Sequence, residues 1–280
     1  MKKLLTIALV AFFSVSLFAQ DELTEISWQE REANIREMFS EIEQMDDNDQ
    51  ITRMADSIQR EMIEILMDPE FPFEYEFDLL PNVGAVSSDD NLLHMYSWNV
   101  PLKDQNNTSQ FYALCFNRAF NVTYVLAQGI PYIPNKKGNI PETSWYGCIY
   151  YKMAQIRVKD NYGYLMLGYA PIDDNRQYKI IDVMIPNKRG VKFGANIFQN
   201  EDGKKSSRVV FEYGRNVQMT LELDKKKKKI IFDHLSEIGR DDNGKPIYGP
   251  DMSVDSYVLK KDMWIYKGDV DARNPREKKK

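Results

Sequence analysis

Between residues 233 and 255 the chain brings together Asp233, His234, Asp251, Ser253 and Asp255, residue types suited to acid–base or nucleophilic chemistry. The same stretch holds Gly239 to Lys245, which has the G-x4-G-K spacing of a phosphate-binding loop. Pro246 stands where that loop needs a hydroxyl for magnesium, and "IYGPD" follows in place of a helix N-terminus. Asp242-Asn243-Gly244 reads instead as a turn, because Asn-Gly accepts positive φ cheaply. Asp233 and His234 are neighbours in "KIIFDHL", and on a strand they face opposite ways. His234 beside apolar neighbours has the pattern of a hydrogen-bonded core residue more than that of a ligand.

Other catalytic signatures are missing. No G-x-S-x-G places Ser253 or Ser256 on a nucleophile elbow. His94 and His234 are the only histidines, and neither sits in H-E-x-x-H, so a His-based zinc site is not expected. No complete calcium loop occurs. Asp233, Asp251 and Asp255, or Asp173 and Asp174, are candidates for the carboxylate pair of a glycan hydrolase, a reaction whose geometry sequence cannot supply. No cofactor, metal or catalytic residue is assigned. The binding candidates are Asp233, His234 and Asp251, together with Trp145 and Tyr146. If the last two lie in a strand, one ring of the pair must face outward to stack on a sugar or peptide; cross-strand packing is the alternative.

The elements that would hold these residues fall into two regions. Residues 20–68 form a helical hairpin: Ile35, Met38, Phe39 and Ile42, then Ile51, Met54, Ala55, Ile58, Met62 and Ile65, recur at helical steps. Asp46-Asp47-Asn48-Asp49 separates the two runs, and Asp68-Pro69 ends the second. The Met-rich stripe packs on the protein's own sheet or serves as an adaptable partner face. Residues 69–274 read as a β-domain. "FEYEFDLL", "NLLHMYSWNV", "QFYALCFN", "YGYLMLGYA", "YKIIDVMI" and "KIIFDHL" are among a dozen short segments rich in β-branched and aromatic residues. Turns between them are too short for helical crossovers, which makes the pairing mainly antiparallel. The fold class is therefore α+β, mainly antiparallel β with an N-terminal helical hairpin. So many strands need closure or a second layer, as a barrel-like, sandwich or incomplete-propeller arrangement. Residues 128–145 form the one long loop, a lid or connector.

The ends and composition bear on location. Residues 1–19 read as a signal peptide: Lys2 and Lys3, an apolar run to Phe18, then Ala19. The 37 basic residues, two of which leave with the leader, are outnumbered by 42 acidic ones. That balance excludes nucleic acid as a partner and leaves glycan, peptide or an envelope protein. No membrane span remains after the leader. The run Lys225 to Lys229 reads as a solvated hairpin loop, and residues 275–280 as a disordered tail. Cys115 and Cys148 leave a disulfide and two separate buried thiols open alike.

In "DNLLHMYSWN", "YKIIDVMI", "RVVFEYG", "KKIIFDHL", "YGPDMSVDSY" and "DVDARN" the chain resembles a family of exported bacterial β-rich proteins without assigned function. The likeness covers residues 72–274 and implies export and a shared β architecture, but no activity. The reading that follows is an exported, non-catalytic binding or envelope-associated protein, with a carboxylate-dependent hydrolase of extracellular polymers as the alternative.

Overall fold

The computed structural model describes residues 26–104, 108–126, 132–226 and 228–268; the leader and the tail lie outside them. Helix α1 (Trp28–Gln44) opens on a capping box, in which Ser27 Oγ accepts from the Glu30 amide and the Glu30 carboxylate accepts from the Ser27 amide. Helix α2 (Asn48–Met67) is capped by Asp47, whose carboxylate accepts from the Gln50 amide at 2.8 Å, and it stops at Asp68-Pro69. The acidic cluster thus both ends one helix and starts the next.

The first sheet runs β1 (Gly84–Ser87), β2 (Leu93–Pro101), β3 (Ser109–Asn117) and β4 (Val122–Leu126), in that spatial order. The next elements are β5 (Ile140–Pro141), β6 (Ile149–Val158), β7 (Asn161–Pro171), β8 (Arg176–Asn187) and β9 (Gly190–Phe193). They form a second sheet ordered β5-β9-β8-β7-β6. Then come β10 (Phe198–Gln199), β11 (Lys205–Ser206), β12 (Val209–Gly214), β13 (Leu221–Asp224), β14 (Lys229–Arg240), β15 (Pro246–Lys260) and β16 (Met263–Lys267). Of these, β12 joins the second sheet through β8, and the rest make a third sheet ordered β11-β10-β16-β15-β14-β13. Among the described residues, pairing is antiparallel except for the two-residue contact of β10 with β16.

These layers stack because the central strands of the two inner sheets, β2, β3, β7 and β8, are apolar on both faces. In β2, His94, Tyr96, Trp98 and Val100 point one way, and Tyr96, Trp98 and Val100 pack with the hairpin stripe of Ile35, Ile51, Ile58, Met62 and Ile65. Leu93 and Met95 point the other way and pack with Tyr164, Met166, Tyr178 and Ile180 of the second sheet. On that sheet's far face, Leu165, Leu167, Ile181 and Val183 meet Ile230, Phe232, Tyr257 and Trp264 of the third. The α+β fold is thus a four-layer stack of hairpin and three sheets, with no barrel or propeller needed. The helical stripe is core.

One sequence expectation changes on this frame, and two open alternatives close. "FEYEFDLL" is not a strand. It is a run of turns whose rings form an aromatic cluster with Trp28 and Tyr96, with Phe77 at φ 56°. Its Tyr75 hydroxyl and Leu79 amide both donate to the buried Glu32 carboxylate of α1. The long proline-rich loop, described from Tyr132 onward, is not a free lid. Arg208 donates to the carbonyls of Asn135 and Gly138 and to that of Phe193, while its Nε donates to Asp182 at 2.7 Å. Both side chains of this ion pair are 0% exposed. Cys115 and Cys148 are separate buried thiols; burial pushes both well above the usual thiol range.

Candidate functional site

The crowded polar stretch forms one long hairpin. The turn at Asp241–Lys245 closes it, with Gly244 at φ 76° and Asp241 accepting from the Asn243 and Lys245 amides. Asp233 and His234 diverge as strand alternation requires. The Asp233 carboxylate accepts from the Thr220 amide at 2.6 Å, and His234 turns toward Asp255.

Register then does something that alternation alone cannot. Asp233 pairs with Val254, but Leu235 pairs with Pro250, so Asp251, Met252 and Ser253 bulge out opposite the single residue His234. At the tip Met252 takes φ 73° and is 99% exposed. Asp251 is curled back, accepting from the Ser253 amide and hydroxyl, and comes within 3.9 Å of His234 Nε2. On the other ring edge His234 Nδ1 lies 2.7 Å from Asp255 Oδ2, which also accepts from the Tyr266 hydroxyl at 2.5 Å. The hydrogen bond to Asp255 raises the His234 pKa; partial burial opposes it, and Asp251 and Glu201 add to the rise. Asp251 is held below the usual carboxylate range, first by its bonds from Ser253.

This cluster brings His234 and Asp251 together and leaves Asp233 out. Its chemistry is that of a clasp. The imidazole fills the space between Asp251 and Asp255, where a glycosidic bond would have to lie. The Ser253 hydroxyl is committed to Asp251, and Ser256 sits on the opposite face of β15, so neither is poised as a nucleophile. Asp173 is bonded to Arg176 in the β7–β8 turn. Among the described residues, no group of three or more His, Cys, Asp or Glu side chains is placed to hold a metal.

Trp145 and Tyr146 are both buried, so neither presents a face to a ligand. Trp145 Nε1 donates to the Tyr150 hydroxyl at 2.9 Å, and the Tyr146 and Tyr150 hydroxyls are 3.0 Å apart. They follow a 3-10 turn (Glu142–Ser144) and do not lie in a strand, so alternation does not force either ring outward.

A sizeable concavity lies elsewhere, and no motif marks it. A groove of about 720 Å³ opens between the last turn of α2, the loop after Pro69 and the end of the first sheet nearest the β3–β4 turn. Ile63, Leu66, Phe73, Phe116 and Val125 make its walls apolar. Two basic side chains join them. The Arg118 guanidinium sits 5.1 Å from the centre of the Phe73 ring. His94 is stacked on Tyr96 at 4.4 Å and meets Phe73 edge-on.

The His94 tautomer follows from its neighbour. Nδ1 lies 2.5 Å from the carbonyl oxygen of Phe73, which only accepts, so Nδ1 carries the proton. Burial lowers the His94 pKa to about 4, against the pull of that carbonyl, so the ring is neutral at physiological pH. Nε2 is then a bare acceptor, buried and with no hydrogen-bond partner. Sequence reasoning treated His94 only as a histidine outside any metal motif. Its value depends on Phe73, twenty-one residues away, which the turns after α2 bring over it.

No family model, curated protein or solved structure matches this chain. No helix among the described residues is long and apolar enough to cross a membrane.

Proposed function

We propose that the protein is an exported, non-catalytic binding protein whose ligand site is the groove beside His94. The observation that carries this reading is the combination of a pocket of ligand size, apolar walls and a few placed polar groups. Export rests on the leader-like residues 1–19 and on the likeness to exported β-rich proteins. A carboxylate-dependent hydrolase is less well supported, because the closest acidic cluster is occupied by the His234 ring and not by space for substrate.

The test is a fluorescence titration of purified protein with 1-anilinonaphthalene-8-sulfonate, an apolar anion, comparing the wild type with Val125→Trp. Val125 is exposed at the rim, so the larger ring blocks the groove with little effect on folding. Saturable binding weakened about tenfold or more by the substitution is expected. Binding that is unaffected, or absent in the wild type, refutes the site. Export is checked by fractionating cells that express the full chain; recovery only as an uncleaved cytoplasmic protein refutes it.

A further inference from the structure

We infer a second binding site, at an open end of the seam between the second and third sheets, that takes a carboxylate carried on a six-membered ring. Arg215 and Lys179 hold the carboxylate, and Tyr151 and Tyr169 bear the ring. The cleft shares no lining residue with the groove beside His94, so either site can fail without the other.

Strand alternation builds the floor. The face of the second sheet that carries Leu165 and Leu167 on β7, and Ile181 and Val183 on β8, is covered by the third sheet. Two residues further along that face come Tyr169 and Lys179, which are cross-strand partners, and then Gln177 opposite Tyr213 of β12. Here the cover is the segment Val217–Met219, which leads into the edge strand β13, and a cleft of about 660 Å³ stays open. A bulge adds Tyr151. The β6 register steps from Tyr150 to Lys152 and leaves Tyr151 unpaired. Its ring turns onto this face, is 40% exposed, and is pinned by a hydroxyl that donates to the Leu221 carbonyl at 3.2 Å.

Gln177 fixes the opposite wall. Its amide nitrogen lies within bonding distance of the Gly214, Arg215 and Val217 carbonyls, which ties that turn to the sheet. Its oxygen accepts from the Tyr169 hydroxyl at 2.8 Å, and that hydroxyl in turn accepts from the Arg215 guanidinium at 3.2 Å. Arg215 is otherwise exposed and keeps further N–H donors in the fork that suits a carboxylate. Tyr169 therefore stands between the two cations, bonded to one and cross-strand from the other.

The charge on the walls is one-sided: they hold Arg215 and Lys179 and no carboxylate. The Lys179 ammonium lies 5.4 Å from the centre of the Tyr151 ring. Partial burial lowers its pKa, and the charges of Asp233 and Glu222, outside the cleft, oppose that fall. A cation partly stripped of water gains more from an incoming anion than one in bulk solvent. Beside that charge the two tyrosines offer flat apolar surface, which suits a ring lying on it. A sugar acid and an aromatic acid share this chemistry.

The experiment is a ligand-observed NMR titration of the purified protein with glucuronate, benzoate, the methyl ester of each, and inorganic sulfate. Each ester keeps its ring and loses only the charge, whereas sulfate keeps charge without a ring. At least one of the two acids is expected to bind about tenfold tighter than its own ester and than sulfate, and the acid that does so identifies the source. Arg215→Gln should weaken that acid about tenfold. Arg215 is exposed and its main-chain amide carries the bond to Asn175, so the variant keeps the fold. An ester binding as tightly as its acid overturns the role of the cations, and sulfate binding as tightly overturns the role of the ring. Binding that survives Arg215→Gln but is lost in Val125→Trp assigns the acids to the groove and overturns the second site. The comparison of ligands on the wild type stands whatever the variants do.

Discussion

Removing either partner of the Asp182–Arg208 pair should destabilise the protein, but with different dependence on pH. Both side chains are fully buried, and Arg208 also holds the carbonyls of Asn135, Gly138 and Phe193. Asp182→Asn leaves a guanidinium that cannot lose its proton, with only neutral acceptors around it. Breaking a buried pair in this way costs about 3–5 kcal/mol, which for a domain of this size lowers Tm by about 10 °C or more. Arginine stays charged throughout, but Asp182 of the wild type titrates near 6 when folded, so the gap to Asp182→Asn should narrow by about 1.4 kcal/mol as pH rises from 5 to 8. Arg208→Met leaves a buried carboxyl instead. Burial already pushes Asp182 up to about 6 with the guanidinium present, and without it the group rises further. The folded chain then holds a proton that the unfolded chain has released above about pH 4. Stability is therefore greatest at low pH and falls by about 1.4 kcal/mol per unit as pH rises toward the folded pKa. Urea unfolding followed by tryptophan fluorescence at pH 5, 6, 7 and 8 reads both slopes. A loss of under about 1 kcal/mol for Asp182→Asn, or a flat profile for Arg208→Met, would refute the argument that this pair is a dry, charge-balanced anchor for the loop.

Two further outcomes follow from the same packing. His94 is neutral in the folded chain down to about pH 4 but takes a proton near 6.5 when unfolded. Its contribution is fully present above 6.5 and is lost as pH falls toward 4, by about 2 kcal/mol at pH 5. The stability gap between wild type and His94→Phe should therefore shift by that amount between pH 7.5 and 5, while other titrating groups cancel in the comparison; parallel urea midpoints across that range would contradict it. At Gly168 a Cβ would lie 2.7 Å from Cys148 Sγ and 3.1 Å from Ile180. Gly168→Ala should cost about 1–3 kcal/mol, and adding Cys148→Ala should recover part of it in a double-mutant cycle; purely additive losses would mean that the two sites do not share the space.

The local features of this protein were legible in its sequence. The capped helical hairpin follows from apolar residues at helical spacing around an acidic stop, and the antiparallel strands from short β-rich runs with turns too small for crossovers. The turn at Asp241–Lys245 follows from Asn-Gly, and the divergence of Asp233 from His234 follows from strand alternation. Each depends on interactions within a few residues. What stacks on what was not legible. Strands apolar on both faces say that they are covered twice, not by which layers. The three-residue bulge that swings Asp251 onto His234 is a property of the pairing of two strands, and no spacing within one of them reveals it. Trp145 and Tyr146 went inside because the tyrosine hydroxyls could satisfy one another there. The groove is the clearest case: His94, Phe73 and Arg118 become one surface only when the turns after Pro69 lay Phe73 across the first sheet. A groove of this kind is made by tertiary contact, because its polarity is set by which partners the fold supplies and which it withholds.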